Sequence, residues 1–478
     1  QTDAPLSTLI FKTFITMNQT VTENHRLRDT IIIGAGLTGL TTAYCLTRKG
    51  CDIEVIEQSP CVGGQIRTYH ENGFTFESGP NTGVISHPEV AELLAELSPT
   101  CRLETAREAS RQRLIWKGDR FHSLPSGLFS AITTPLFSTK DKFNILGEPF
   151  RAKGNNPDET IGELVQRRLG ISYLHYAVDP FISGVYAGDP MRLVTRHALP
   201  KLYQLEQTYG SFILGGIAKS FSHRSEHDRL ATRKVFSTYG GLSNLTKALE
   251  QAIGIKRFSL GATSTSLMPC EQGWVVSFTD SCGIVNRIHC RKVITTTPAF
   301  VLPSLLPFVP DKQMNRISNL TYAPVMQVSV GLRNTYGKEF HAFGGLVPSC
   351  EQKPVLGILF PSACFDNRSP EGGALYSYFL GGTRHPELLE KSDDEIIRLI
   401  TTGLNEMLDY PAGIVPDLIR IFRHKKAIPQ YESSSTDRFA AINELQKQYP
   451  GLVVAGNLKG GIGMADRIKQ AVEIARER

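Results

Sequence analysis

A short glycine-rich segment near the start of the chain limits its possible folds more than any other feature. Residues 31–33 are three isoleucines, residues 34–39 read G-A-G-L-T-G, and an apolar stretch follows to about residue 46. A second apolar run then ends at Glu57. This order predicts a buried strand, a tight turn, a helix and a second strand, which together form a βαβ unit feeding a parallel sheet.

The spacing of the glycines indicates what this turn binds. Gly34 permits the tight turn, Gly36 lets a pyrophosphate approach the backbone, and Gly39 lets the helix pack against the strand. Phosphates would then lie at the positive end of the helix dipole. Glu57 follows Gly39 by 18 residues, where a carboxylate accepts hydrogen bonds from ribose hydroxyls. The predicted dinucleotide site includes the whole turn: Gly34, Ala35, Gly36, Leu37, Thr38 and Gly39.

Composition excludes several other classes of protein. Of the 478 residues, 41% are hydrophobic and 21% are charged, as in soluble globular chains and unlike disordered ones. The formal net charge of +6 is scattered along the chain, which does not favour nucleic-acid binding. Nine cysteines without a CxxC pair predict reduced thiols rather than disulfides or a metal site. No stretch approaches about 18 apolar residues, so no membrane-spanning helix is expected.

The chain divides into segments of different character. We expect residues 1–28 to be a disordered or non-native segment before the fold, because Met17 looks like a natural start and Lys12 interrupts any signal-peptide core. The remaining chain is predicted to form three units. They are a discontinuous α/β domain (29–100, 236–310 and 435–478), a helical lobe (101–210), and a mixed-sheet domain (211–235 and 311–434).

Two further motifs resemble those of the FAD-dependent amine oxidase superfamily. Gly63-Gly64 with Thr68 resembles its second glycine motif, and GNLKGGIGMADRIKQA near the C-terminus resembles its closing glycine–helix element. The resemblance implies an α/β (α+β overall) fold with a Rossmann-like domain that binds FAD from both ends of the chain. The further FAD contacts that it implies are Gln58, Gln65, Gly79, Pro80, Asn81, Thr82, Ser264, Ile462, Gly463 and Met464. Relatives often have Val where Ser264 stands, but this contact uses backbone atoms.

The middle of the chain resembles one family of that superfamily, the oxygen-dependent protoporphyrinogen oxidases. The matching segments are VDPFISGVYAGDP (178–190), ALPKLYQLEQTYGSFILGGI (198–217), FSTYGGLSNLTKALE (236–250) and YFLGGTRHPEL (378–388). The resemblance implies oxidation of protoporphyrinogen IX to protoporphyrin IX in haem and tetrapyrrole biosynthesis. Hydride would pass to FAD in three two-electron steps, with O2 reduced to hydrogen peroxide. No side chain is then expected to act as a catalytic group and no metal is expected, because the flavin carries the redox chemistry.

The same resemblance assigns a substrate site. Arg113 matches the arginine that pairs with a propionate, Asn81 a polar residue near the reactive face, and Gly184 a glycine whose carbonyl faces the macrocycle. His424 stands where a bacterial relative has Trp beside the flavin, and we interpret it as a satisfied core or surface histidine. The apolar residues that would clamp or stack on pyrrole rings are Leu346, Leu359 and Phe379.

The helical lobe of this family leans on a membrane. Residues 123–146 interleave Leu, Phe and Ile with Ser, Thr and Lys, which favours a peripheral contact by a cytoplasmic protein and not a membrane span. The alternative is that the lobe packs on its own core or on a second subunit of a homodimer.

Three other functions remain open from the sequence. A coproporphyrinogen III oxidase would have the same fold but would need more cations for four propionates. An amine oxidase or carotenoid desaturase is disfavoured by the middle motifs, and covalent FAD would need a cysteine later than Cys364, the last in the chain. A flavin-binding module without turnover is disfavoured by the complete set of substrate residues.

Overall fold

The computed structural model describes residues 26–125, 130, 133–221 and 225–477. The segment expected to precede the fold, residues 1–28, therefore lies mostly outside the described residues. The fold begins before Asp29, where it was expected to start, because Arg26–Ile33 form the first strand. This strand begins before Asp29 because its early residues also pair with a neighbouring strand, with Arg26 opposite Ile288.

The strands are β1 Arg26–Ile33, β2 Ile53–Glu57, β3 Thr68–Glu71, β4 Phe74–Glu77, β5 Gly83–Val84, β6 Leu103–Thr105, β7 Arg113–Lys117, β8 Arg120–Ser123, β9 Val235–Thr238, β10 Phe258–Leu260, β11 Thr263–Cys270, β12 Gly273–Thr279, β13 Val285–Thr295, β14 Tyr322–Leu332, β15 Gly344–Leu346, β16 Val355–Leu359, β17 Ala374–Gly381, β18 Leu418–Pro429 and β19 Leu452–Val454. The longest strands are β13 of the first large sheet and the neighbouring strands β14 and β18 of the second.

The α-helices cover the sheets and form most of the segment between β8 and β9. They are α1 Leu37–Arg48, α2 Pro88–Glu96, α3 Thr139–Leu146, α4 Ile161–Arg168, α5 Ile171–Tyr173, α6 Asp179–Tyr186, α7 Thr195–Ala198, α8 Pro200–Tyr209, α9 Phe212–Phe221, α10 Glu226–Arg229, α11 Ser243–Ile253, α12 Leu302–Leu305, α13 Asp311–Ser318, α14 Pro361–Cys364, α15 Asp393–Leu408, α16 Ser435–Gln448 and α17 Met464–Arg476.

The first large sheet has a parallel centre. Its order is β10-β2-β1-β13, and the far edge of β13 pairs with antiparallel β12 along its first half and with parallel β19 at its end. Both faces are covered, since Ile32 packs with α1, α11 and α17 while Ile31 packs with α13 and α16. A strand buried on both faces reads as a continuous apolar run, which explains the three isoleucines of β1.

The second large sheet is mixed. Its order is β18-β14-β17-β16-β15-β7-β8, and its neighbours are antiparallel except for β15 and β7. One face packs on α15 through buried side chains such as Ile400 and Leu404, and the other face packs on β4 and the segment that follows it. The predicted fold class, an α/β domain with a parallel sheet beside a mixed-sheet domain, is confirmed.

Three segments belong to other units than the sequence suggested. The hairpin β7–β8 joins the second sheet instead of the helical lobe (101–210), because Ile115 and Trp116 are buried there. Within 211–235, α9 continues the helical lobe and packs beside α8, whereas α10 packs on α2 of the first domain, where His227 pairs with Glu92. Helix α13 (within 311–434) packs on α16 of the first domain through Met314 and Ile317. Local apolar patterns do not say which core a segment will enter.

Candidate functional site

The first glycine turn has the geometry of an anion cradle. Gly34 adopts φ +102°, a conformation that favours glycine, and a Cβ on Gly39 would lie 1.9 Å from the Gly34 carbonyl oxygen. In contrast, a Cβ on Gly36 would meet no atom within 4 Å. Gly36 is the N-cap of α1 and provides no side-chain cap. The first backbone N–H groups of α1 therefore border open space, where a phosphate fits.

Glu57 is the last residue of β2, and its carboxylate is hydrogen-bonded to the backbone of this turn. Its Oε2 accepts a hydrogen bond from the backbone N–H of Ala35 at 2.6 Å, and its Oε1 accepts one from Ser59 at 2.8 Å. Its carbonyl oxygen accepts a bond from Ala262, which brings the start of β11 to the same edge. Ser264 lies there with φ +51° and an exposed side chain. The carboxylate and Ser264 are thus neighbours at the carboxyl edge of the first sheet.

The second glycine pair stacks directly on the first turn. The backbone N–H of Gly63 donates to the Ala35 carbonyl at 2.8 Å, and a Cβ on Gly64 would lie 3.2 Å from the Gly36 Cα. Gly79 is packed as tightly, because its Cβ would lie 2.1 Å from the Gln65 carbonyl oxygen. The side chains of Gln58 and Gln65 are exposed beside these loops.

The C-terminal glycine segment meets the first turn through one residue. Thr296 follows β13, and its Oγ1 donates to the carbonyls of Ile33 and Gly34 at 3.1 and 3.2 Å. A Cβ on Gly456 would lie 2.9 Å from the Thr296 carbonyl oxygen. The hydroxyl of Tyr431 donates to the carbonyl oxygens of Asn457 and Gly461, which fixes the loop that leads to Ile462–Met464.

Two helix N-termini point to the same edge of the sheet. Helices α1 and α17 pack together, and Lys49 at the end of α1 donates to the carbonyl of Ala475 at the end of α17. The helices are therefore parallel, and each begins at a glycine, Gly36 or Gly463. Their dipoles favour an anionic group at this edge. The two glycine segments and the open space at Gly36 fit a dinucleotide with its pyrophosphate.

The second sheet presents two rows of residues to this edge. The first row, directly opposed across four strands, is Arg113, Gly344, Leu359 and Ser377. The second row, two positions along each strand, is Leu346, Gly357, Phe379 and Gln327. Because side chains two positions apart share a face of a strand, both rows lie on one face. Arg113, Leu346, Leu359 and Phe379 are thus brought together by strand register.

Three apolar members of these rows are only partly buried. Leu346, Leu359 and Phe379 have intermediate exposure, whereas Ile358 and Tyr378, which point to the other face, are fully buried. Apolar groups left partly accessible on one face of a sheet are typical of a cleft that receives an apolar ligand.

Arg113 provides a cation at the edge of this cleft. Its guanidinium lies 4.5 Å from the centre of the Phe343 ring, and it forms no ion pair with the residues that the structure describes. Its neighbours in the sequence differ: Arg107 pairs with Asp366, and Arg111 lies 3.7 Å from Glu108. Arg113 is therefore free to pair with an incoming carboxylate.

Gly184 and Asn81 complete the walls of the cleft. A Cβ on Gly184 would lie 2.5 Å from Leu346 Cδ2, so the backbone of α6 touches that leucine. Asn81 accepts a hydrogen bond from Ser377 Oγ at 2.9 Å and donates to the Gly79 carbonyl at 3.0 Å. Asn81 and Thr82 also line a pocket with Leu359. The residues that the resemblance implies for substrate binding thus lie on, or pack against, one face of the second sheet.

The segment before Asn81 joins the two domains. Gln327 donates to the carbonyl oxygen of Glu77 at 2.7 Å, and His424 donates from Nε2 to the carbonyl of Ser78 at 2.6 Å. His424 is therefore hydrogen-bonded and faces the cleft side of β18. Burial raises the pKa of the Glu77 carboxyl to about 7, although Leu242 and Thr68 donate hydrogen bonds to it.

Several supporting residues were missed by the sequence reasoning. Phe343 lies beneath the Arg113 guanidinium, Thr296 separates the two glycine loops, and Tyr431 holds the C-terminal loop. They act on backbone or ring atoms of residues distant in sequence, so no local motif marks them. Within the described residues, no trio of His, Cys, Asp or Glu is arranged to hold a metal ion.

Comparison with known proteins agrees with this geometry. Residues 37–476 match the family of flavin-containing amine oxidoreductases. The chain is 30% identical to human protoporphyrinogen oxidase, over 94% of this chain and 98% of that protein. It is 29% identical to the chloroplastic/mitochondrial protoporphyrinogen oxidase 2 of Arabidopsis thaliana, over 93% of this chain and 92% of that protein.

Solved structures show the same fold. A crystal structure of a candidate protoporphyrinogen oxidase from Exiguobacterium sp. 255-15 superimposes with a TM-score of 0.77 at 21% identity, covering 95% of this chain and 99% of that one. A reduced UDP-galactopyranose mutase superimposes with a TM-score of 0.70 at 15% identity, covering 94% and 95%. The chain belongs to the flavin-containing amine oxidoreductases and, within them, to the family of the protoporphyrinogen oxidases.

Proposed function

We propose that this protein is an FAD-dependent oxidase that converts protoporphyrinogen IX to protoporphyrin IX. The observation that carries the proposal is the cleft face of the second sheet. It combines partly exposed apolar side chains with the Arg113 guanidinium, which has no ion-pair partner in the described part of the chain, opposite a cradle for a dinucleotide. A porphyrinogen is a large apolar ring with anionic propionates, and it matches both properties.

The dinucleotide is FAD, the cofactor of this family. In our proposal the pyrophosphate lies on the N–H groups of Gly36, Leu37 and Thr38, and the Glu57 carboxylate, whose oxygens retain acceptor capacity, receives a ribose hydroxyl. The segment 79–82 and residues Ile462–Met464 hold the flavin end, and Ser264 borders the adenine end.

Bound FAD supplies the redox chemistry, accepting hydride from the substrate and passing electrons to O2. The protein's residues bind and orient the ring. Arg113 pairs with a propionate, the three apolar residues of the rows contact the pyrrole rings, and the Gly184 backbone closes the cleft. Asn81, fixed by Ser377, holds its polar side chain at the cleft wall. These contacts orient the ring and exclude water without any side chain acting as an acid or base.

Turnover decides between this function and the alternatives. Purified protein with FAD is given protoporphyrinogen IX and coproporphyrinogen III side by side in air, and porphyrin fluorescence is followed. We expect preference for protoporphyrinogen, because Arg113 is the cation without a protein partner that we identify at the cleft. Preference for coproporphyrinogen would assign the alternative reaction, and a yellow protein inactive on both would indicate a binding module or a different oxidase.

Replacing Arg113 tests the propionate contact. Arg113→Ala should raise KM about ten- to a hundredfold, because it removes a charge-assisted pair of about 1.5–3 kcal/mol. Arg113→Lys should retain part of the affinity, since the charge stays and only the planar fork is lost. Arg107→Ala, which breaks a surface ion pair with Asp366, serves as the control. Equal kinetics for Arg113→Ala and the wild type would contradict the assignment.

We further propose that the helical lobe docks on a lipid surface. Three neighbouring elements expose large apolar side chains: α3, the short 3₁₀ turn Glu148–Phe150 and α9. Phe143 is 68% exposed, Phe150 91% and Phe221 83%. Glu148 fixes this face, because its buried carboxylate pairs with Arg168 and accepts the N–H of Phe212 at 3.0 Å. Part of the segment 123–146 lies outside the described residues.

Vesicle binding tests the lipid proposal. Phe150→Ser with Phe221→Ser should lower the affinity for phosphatidylcholine–phosphatidylglycerol vesicles, measured by co-sedimentation, by about a hundredfold or more, because about 1.5–3 kcal/mol of apolar contact is lost per side chain. Val415→Ser, at a side chain 84% exposed outside the lobe, should bind like the wild type. Unchanged vesicle binding together with a dimer-to-monomer shift in sedimentation would assign the face to a homodimer instead.

The same exposed apolar surface supports a proposal for where the protein is located in the cell. In the described part of the chain, no helix is both long and apolar enough to cross a membrane. We propose peripheral attachment on the reducing side of a membrane, in the cytoplasm or in an organelle. The names of the plant relatives place those proteins in chloroplasts and mitochondria.

A further inference from the structure

One charged side chain near the cleft has no role in the proposed chemistry. Arg384 follows β17 by three residues, within the segment 378–388 that resembles the protoporphyrinogen oxidases. Its Nη1 donates to Oδ1 of Asp179 at 2.5 Å, and its Nη2 donates to Oδ1 of Asp189 at 2.9 Å. Asp179 opens helix α6 and Asp189 follows its end, so Arg384 bridges both ends of this helix.

The start of α6 is attached to the second sheet. The Asp179 side chain is 3% exposed, and its Oδ2 accepts a hydrogen bond from the backbone N–H of Ser349 at 2.7 Å. Ser349 follows β15, the strand that carries Leu346. One buried carboxylate therefore connects the first turn of α6 to both β15 and Arg384.

The end of α6 is attached to the sheet as well. Ala187 has φ +48°, and its carbonyl accepts a hydrogen bond from the Thr383 N–H at 2.8 Å. The Tyr186 carbonyl accepts one from the buried Gln430 side chain at 2.9 Å. A Cβ on Gly382 would lie 2.7 Å from the Ala187 carbonyl oxygen, so this junction has no spare room.

Between these attachments, α6 approaches the cleft at Gly184, whose backbone touches Leu346. The ion pairs of Arg384 are partly buried, since its side chain is 27% exposed and that of Asp179 only 3%, and such a pair is favourable only in close geometry. We propose that Arg384 is a positioning residue. By bridging Asp179 and Asp189, it sets the distance between α6 and the sheet and thereby the width of the cleft that receives the ring. The inference rests on the proposed function.

Kinetics of the FAD-loaded enzyme test this role. Arg384→Gln should raise KM for protoporphyrinogen about tenfold with kcat within about twofold, because a looser wall weakens substrate binding without altering hydride transfer. Arg384→Lys keeps the charge and can reach one of the two carboxylates, but it lacks the planar fork of arginine. Its KM should therefore lie between those of the wild type and Arg384→Gln. The matched control is Arg420→Gln, on β18 of the same sheet as β17, which breaks an ion pair with Glu71 of the hairpin β3–β4. Its KM and kcat should equal those of the wild type.

A double-mutant cycle separates positioning from general destabilisation. Gly184→Ala places a methyl group against Leu346 and should raise KM in the wild type. In the Arg384→Gln background its effect should be severalfold smaller, because a released helix can move away. Additive effects, or loss of FAD and kcat with unchanged KM, would overturn the inference. Absence of turnover in the wild-type protein would instead overturn the proposed function.

Discussion

The three glycines of the first turn are required for three different reasons, because their surroundings differ. Gly34 needs its positive φ, Gly39 has a carbonyl where a Cβ would stand, and Gly36 borders open space. The G-x-G-x-x-G spacing in the sequence already predicts that each of the three positions requires glycine. The glycine spacing assigns Gly36 to a pyrophosphate and Gly39 to helix packing, and the structure adds that the Cβ position is open at Gly36 and blocked by backbone at Gly39.

This difference predicts two separate outcomes. Gly36→Val should fold with a Tm within about 2 °C of wild-type apoprotein but purify without FAD, because the side chain fills the phosphate space. Gly39→Ala should give little soluble protein, because its Cβ clashes with backbone. Absorbance at the flavin band and thermal unfolding of the apoprotein measure both.

The control for these variants is Gly216→Val, at an exposed helical glycine with no atom within 4 Å of its Cβ position. It should retain FAD. Stoichiometric FAD in Gly36→Val would show that the turn does not hold the pyrophosphate.

At the scale of elements, Glu77 connects β4 to α11. Its carboxylate accepts hydrogen bonds from the Leu242 N–H at 2.8 Å and from Thr68 Oγ1 at 2.7 Å, and burial raises its pKa from 4.5 to about 7. A raised carboxyl pKa stabilises the folded state fully below about pH 4.5. That contribution is lost as the pH rises through about 7, because the charged form is then buried.

We therefore predict that Glu77→Gln is more stable than the wild type at pH 8.5, by on the order of 3 kcal/mol. The amide stays neutral, its oxygen can still accept from the Leu242 N–H, and its NH2 group can donate to Thr68 Oγ1 where the carboxylate accepted from it. The difference should shrink toward zero at pH 5. Thermal unfolding at both pH values measures it, with the exposed Glu371→Gln as control. A pH-independent difference would contradict the raised pKa.

Strand pairing between distant segments explains why the sequence places the hairpin β7–β8 in the helical lobe and not in the second sheet. The hairpin β7–β8 lies in a stretch that reads as helical on average, and its partner β15 is far away in the sequence. Strand pairing over such distances depends on register between segments, which the local pattern of β7 does not contain. Arg113 was identified as a substrate residue by resemblance, but its position opposite Gly344 came only from this pairing.

At the scale of the molecule, the sequence determined the parts whose reasons are local. The apolar run of β1, the glycine spacing and the two flavin motifs act within a few residues, so they predict the parallel sheet, the cofactor and the family. Tertiary structure decided what depends on distant partners. It brought Gly184 onto Leu346, left Arg113 without an ion-pair partner among the residues that the structure describes, and linked both ends of α6 through Arg384. The physical reason is that a motif is set by neighbours along the chain, whereas the width and charge of a cleft are set by residues that meet only after folding.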